Sequence, residues 1–140
     1  MRNNLPQSLD NGCYMYNLDD KNGQGTHWEC FVISPPYLCN YDPFGSKMRQ
    51  YPTREIEALA KRMNLKLITV PYAQQHLKSN LCGYYSLYIC DKCKPHVGKL
   101  DPNKFKEIVY QAFGPSPDKE DVKKLTNYAK REHIDINNSI

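Results

Sequence analysis

The chain has 140 residues and a mass of 16.3 kDa, a size for one domain. It is 40% hydrophobic and 24% charged, the balance of a globular rather than a disordered chain, although its mean hydropathy of −0.73 is on the polar side. No apolar run exceeds four or five residues, where a membrane span needs about 20, so a transmembrane protein is excluded and no membrane partner is expected.

In chain order, Cys13–Leu18 is a short strand candidate, followed by a polar, glycine-rich loop over residues 19–26. A stronger strand runs over His27–Ile33. Ser34-Pro35-Pro36 is a turn, and Tyr37–Asp42 reads as the return strand of a hairpin, stopped by Pro43-Phe44-Gly45. Thr53 can cap a helix to about Met63, with Ile56, Leu59, Ala60 and Met63 at helical spacing and Asn64 as its stop. Lys66–Tyr72 is the next strand. After the polar stretch Ala73–Asn80, Cys82–Cys93 reads as a buried, mostly apolar helix. Asp101-Pro102 starts a further helix, with Phe105, Ile108, Val109 and Ala112 on one face and Gly114 as C-cap. Ser116-Pro117 starts the last one, which runs to about Arg131 and is basic at its C-terminal end. The order is strand-rich first and helical last. This predicts an α+β domain over residues 1–140, a small mixed or antiparallel sheet flanked by helices, with residues 1–11 and 133–140 as loosely ordered ends.

The net charge of +4 is unevenly placed: residues 1–45 hold two basic and five acidic residues, residues 46–140 hold 17 and ten. A basic excess scattered along helices reads as a solvated face, and it admits weak nucleic acid contact through the second half. Met1-Arg2-Asn3-Asn4 opens no signal-peptide core, so an intracellular protein with free thiols is expected from the six cysteines, Cys13, Cys30, Cys39, Cys82, Cys90 and Cys93. Several sit in apolar strings, where cysteine behaves as a small hydrophobe.

One of the six stands apart. Cys82-Gly83 follows a polar loop and opens the apolar helix, where the helix dipole and the free N–H groups of the first turn favour a thiolate. Gly83 lets a substrate backbone come close. A nucleophilic cysteine needs a base and a group that orients the base. His27 begins one strand and Asp42 ends the next. In an antiparallel hairpin those two positions fall at the same edge of the sheet, so Cys82, His27 and Asp42 compose a Cys-His-Asp triad. Gln74 and Gln75 precede the cysteine by a short loop, and either amide can serve as oxyanion donor beside the Cys82 N–H.

Three blocks carry a family resemblance. Gly25-Thr26-His27-Trp28, Tyr41-Asp42-Pro43-Phe44-Gly45 and Gln75-His76-Leu77-Lys78-Ser79-Asn80-Leu81-Cys82-Gly83-Tyr84 resemble, in order, the signature blocks of the adenovirus maturation proteases (adenains). That family shares a clan with the proteases of SUMO and other ubiquitin-like modifiers. The resemblance covers roughly residues 12–90. It implies a papain-like core of the adenain type with the nucleophile at the N-terminus of a buried helix. In that reading Cys82 is nucleophile, His27 base, Asp42 orienter and Gln75 oxyanion donor, chosen by the Gln-x-x-x-Ser-x-x-Cys-Gly spacing. Trp28 and Gly83 border the substrate. Adenains carry Glu where Asp42 stands, and Asp is the choice of the SUMO-protease branch; the spacing from Gln75 to Cys82 keeps the viral pattern. Residues 43–81 hold no cysteine to tether an activating peptide, so no such cofactor is carried over.

Cys90-x-x-Cys93-x-x-His96 invites a metal reading, but zinc wants four ligands and no second pair has the spacing. A helix end with one buried and one exposed cysteine is expected instead, with no metal and no cofactor. The resemblance therefore implies a monomeric cysteine endopeptidase of a virus or virophage, found in the virion and the infected cell. It would cleave capsid or core precursor proteins after Gly or another small residue. A deconjugating protease for a ubiquitin-like modifier is the alternative, and a non-catalytic nucleic-acid- or metal-binding domain the second.

Overall fold

Segments rich in β-branched and aromatic residues supply the sheet. The computed structural model describes residues 5–17, 28–45, 54–75, 81–116 and 120–132. Its strands are β1 (Gly12–Asn17), β2 (Trp28–Ser34), β3 (Tyr37–Tyr41) and β4 (Lys66–Thr69), side by side in that order. β1 and β2 pair antiparallel, as do β2 and β3 across the two-residue turn Pro35-Pro36. β4 runs parallel to β3, which requires a crossover, and helix α1 (Arg54–Arg62) lies in that connection. Three helices follow: α2 (Cys82–Cys93), α3 (Pro102–Phe113) and α4 (Glu120–Arg131), with a 3-10 turn at Lys94–His96. The described residues thus form the expected α+β arrangement, a mixed four-stranded sheet with four helices.

Register makes the sheet two-faced. Cys13 lies opposite Val32, Cys30 opposite Met15 and Tyr41, and Cys39 opposite Val32. Because side chains alternate along a strand, all of these share one face. That face meets α2, α3 and α4 in the main core, with Tyr85, Ile89, Phe105, Val109 and Leu125. The opposite face presents Tyr16, Phe31, Ile33 and Leu38 to Ile56, Leu59 and Ala60 of α1. β2 is buried on both sides, which explains its unbroken apolar run. α2 is buried nearly all round for the same reason, lying between the sheet and the later helices. None of the helices among the described residues is long and apolar enough to cross a membrane.

The helix boundaries follow local chemistry. α1 ends where Asn64 takes φ 57°, and the bonds Leu65 N–H to Ala60 O (2.8 Å) and Asn64 N–H to Lys61 O (3.1 Å) close a Schellman motif. At the head of α3 the Asp101 carboxylate accepts the Lys104 N–H at 2.7 Å and Pro102 occupies the first turn; Gly114, at φ 76°, ends it. Asp101→Ala is expected to lower unfolding free energy in urea by about 1 kcal/mol, and Asp101→Ser to restore most of it. β4 stops at Thr69, short of the expected Tyr72, since Pro71 has no N–H to extend a ladder. Leu5 and Leu9 pack against the α1 core, and the Arg62 guanidinium donates to Pro6 O and Gln7 O. The expected polar loop 19–26, residues 1–4 and the tail 133–140 lie outside the described residues.

Candidate active site

The topology brings one set of chain segments to a single edge of the sheet. β3 and β4 are parallel, so both leave the sheet at that edge, into Asp42–Gly45 and Val70–Gln75; antiparallel β2 enters it there, at Trp28. The N-terminus of α2 is pinned to the same place. The backbone N–H of Trp28 donates to Cys82 Sγ at 3.3 Å, and Ser86 Oγ, one turn further along α2, donates to the Trp28 carbonyl at 3.2 Å. Cys82 and Ser86 are four residues apart, so one face of α2 grips both polar groups of Trp28.

Cys82 is the first residue of α2 and is 2% exposed. With no side-chain cap from Leu81 and no acidic residue in the first turn, the N–H groups at this helix head direct their positive potential at an anion forming at the sulfur. Gly83 packs against the Trp28 ring: a Cβ there would touch the indole Cδ1 and Cγ at 3.7 and 3.8 Å, an ordinary van der Waals contact.

The Asp42-Pro43-Phe44-Gly45 segment folds into a tight turn. Gly45 N–H donates to Asp42 O and Phe44 N–H to Asp42 Oδ1, both at 2.9 Å, so the carboxylate is buried and held by its own turn. Pro43 O then accepts the N–H groups of both Gln74 (2.8 Å) and Gln75 (2.9 Å). Gly45 has φ 85°, and a Cβ on it would lie 3.0 Å from Pro71 O and 3.1 Å from Ala73 N; only glycine permits this approach. The turn thereby locks the segment that leads to Gln75.

The two glutamines are not equivalent. Gln74 is fully buried: Tyr41 Oη donates to its Oε1 at 2.8 Å, while its Nε2 donates to Val109 O (2.8 Å) and Gly114 O (2.6 Å). Its amide is committed to holding the end of α3 against the sheet. Burial holds the Tyr41 phenol well above its ordinary pKa, so it stays a donor. Gln75 is likewise buried, at 2% exposure. Residue chemistry alone left the choice open, the family resemblance pointed to Gln75, and neither signalled Ser86 or Tyr41 as supports. The i, i+4 spacing of Ser86 from Cys82 was the available signal.

The other five cysteines lie in the packing between sheet and α2. Cys13 is raised far above the ordinary thiol range, first by donating to Cys90 and then by burial. Burial also raises Cys30 and Cys93, and pushes Cys39 up to about 12. Cys90, which receives the Cys13 thiol but donates to Cys30 within the same buried cluster, is raised to about 12. Cys13 is partly buried and the other four are buried, and none is in a disulfide. The expectation of one exposed cysteine at the end of α2 is overturned: Cys90 and Cys93 are both buried, because α3 and α4 cover that end. Among the described residues no group of three His, Cys, Asp or Glu side chains could hold a metal ion.

Trp28, Asp42, Gln75, Cys82 and Gly83 are therefore gathered at one edge of the sheet. His27 lies outside the described residues, as do His76 and Ser79 of the third block. No protein-family model, curated protein or solved structure matches the chain.

Proposed function

We propose that this chain is a cysteine endopeptidase with an adenain-type, papain-like core and the nucleophile Cys82 heading α2. The observation that carries the reading is the hydrogen bond from Trp28 N–H to Cys82 Sγ. It sets the thiol of an uncapped helix head against the backbone of the residue covalently bonded to His27. Asp42, at the same sheet edge, is the carboxylate that would fix the imidazole tautomer.

In this mechanism His27 takes the Cys82 proton and the thiolate attacks the scissile carbonyl. The C–S bond forms as the carbonyl π electrons move onto oxygen, where the Cys82 N–H and the Gln75 amide hold the oxyanion. His27 returns the proton to the leaving amine as the C–N bond breaks. It then deprotonates water, which attacks the thioester and releases the acid and the thiol. The Trp28 ring over Gly83 favours Gly or another small residue at the cleavage site.

The proposed substrates are viral capsid or core precursors, cleaved by a monomer in the infected cell or virion, with weak nucleic acid contact through the basic second half. The test uses a peptidyl-glycine vinyl sulfone and two protein substrates, a capsid precursor and a Gly-Gly fusion of a ubiquitin-like modifier. Expected are stoichiometric labelling at Cys82, with the buried Cys30, Cys39, Cys90 and Cys93 reacting only after unfolding, and cleavage of the precursor. Cleavage of the modifier fusion alone turns the reading to a deconjugating protease. Absence of labelling and of both cleavages overturns the protease reading.

A further inference from the structure

At the opposite end of α2 from Cys82, a cleft of about 320 Å³ opens between α2, the 3-10 turn, α3 and α4. Lys92, His96, Lys104 and Lys124 line it together with Gln111, above the ring of Tyr88. Lys92 Nζ and Lys124 Nζ stand 5.3 and 5.4 Å from the centroid of that one ring. Two ammonium groups brought to one aromatic surface, with a third lysine and a histidine across the cleft, focus positive potential into a concave space. No carboxylate lines the cleft among the described residues. We propose that this cleft, with Lys92 and Lys124 at the Tyr88 ring and Lys104 on its lining, binds a small polyphosphate through its phosphoryl groups.

The chemistry of the lining selects the class of ligand. Planar carboxylates are matched by the fork of arginine, and no arginine lines the cleft. Lysines act as separate point charges, which suits an anion with many oxygens and several charges distributed over tetrahedral groups. The Tyr88 ring is crowded by two ammonium groups and by the Phe113 and Tyr128 rings at 5.0 and 5.1 Å, which disfavours nucleobase stacking. Recognition falls on the phosphates. The volume lies at the lower end of the range for small-ligand pockets. It is too short a track for an extended strand. Glu107 opposes binding at the rim: its Oε1 is 3.7 Å from Lys104 Nζ and accepts from Gln111 Nε2 at 3.4 Å. An arriving phosphate must draw both of those side chains away from it.

Lys92 is ten residues beyond Cys82, roughly 15 Å along the helix, so this site is separate from the proposed protease chemistry and its test needs no proteolysis. Calorimetric titration of the full chain with tripolyphosphate, ATP, citrate and a short single-stranded oligonucleotide distinguishes the sources. Tripolyphosphate and ATP are expected to bind with similar affinity, and citrate about tenfold more weakly. Lys92→Ala and Lys104→Ala each weaken tripolyphosphate about tenfold, while Glu107→Gln tightens it, with unliganded urea midpoints confirming that the variants fold. No saturable binding of tripolyphosphate, equal binding of citrate, or indifference to all three substitutions would overturn the proposal. Stronger binding of the oligonucleotide than of tripolyphosphate would overturn it too, in favour of a nucleic acid surface.

Discussion

Cys82→Ala is expected to reduce peptide hydrolysis by about 10³-fold or more while leaving a folded protein, since loss of a nucleophile removes covalent catalysis and leaves only binding and oxyanion stabilisation. The structural consequence is smaller. The substitution deletes the acceptor of the Trp28 N–H and leaves that part-buried donor without its sulfur, at a cost of about 1–3 kcal/mol. Cys82→Ser separates the two effects. The hydroxyl can still accept from Trp28 N–H, so stability returns toward the parent value. A neutral hydroxyl beside the same base is a far poorer nucleophile than a thiolate, so activity stays low. Urea unfolding and a fluorogenic Gly-Gly peptide read the two quantities on the same preparations. Full activity in Cys82→Ala protein would make the sulfur a packing group and the nucleophile assignment wrong.

The second large effect divides two neighbouring glutamines. Gln74→Leu keeps the volume but strips partners from the Tyr41 hydroxyl and the Gly114 and Val109 carbonyls. Each buried group left unpaired costs about 1–3 kcal/mol, and Val109 O retains its place in the helix ladder, so a total loss of about 3–5 kcal/mol is expected. Activity falls with the folded fraction, because the anchor that joins α3 to the sheet also carries the residue before Gln75. Gln75→Leu is expected to behave differently: turnover falls about 10²-fold, as for loss of one oxyanion donor, with a smaller loss of stability. Measuring kcat and the urea midpoint for both variants decides the matter. Equal stability losses, with no excess loss of turnover in Gln75→Leu, would remove Gln75 from the site.

Much of the fold was legible because local chemistry punctuates it. Asp101-Pro102 and Gly114 bound α3 where the capping residues put it, and Asn64 stops α1 through its left-handed backbone. The apolar run of Cys82–Cys93 announced a helix with hardly a polar face, and α2 has those bounds. The end of β4 was less legible, because β-branched residues continue to Val70 and only the proline at 71 ends the ladder. Burial of Cys93 was misjudged for a physical reason: a helix terminus looks exposed until the helices that return over it are known.

Length, composition and spacing by themselves determined a small α+β domain, the limits of α2 and α3, and the singular position of Cys82 at the head of an apolar helix. They also placed Asp42 at a strand end next to a turn that demands Gly45. Only the tertiary structure decided that β4 lies parallel to β3, which brings Gln75 to the same edge as Asp42. It alone showed that the Gln74 amide is committed to partners 33 to 40 residues away in the chain. It alone gathered three lysines and a histidine from α2, the 3-10 turn, α3 and α4 around one cleft. Caps and periodicity act within a turn or two of chain, so they are written locally. Which amide is saturated, and which cations converge, depends on pairings across the core that no local pattern encodes.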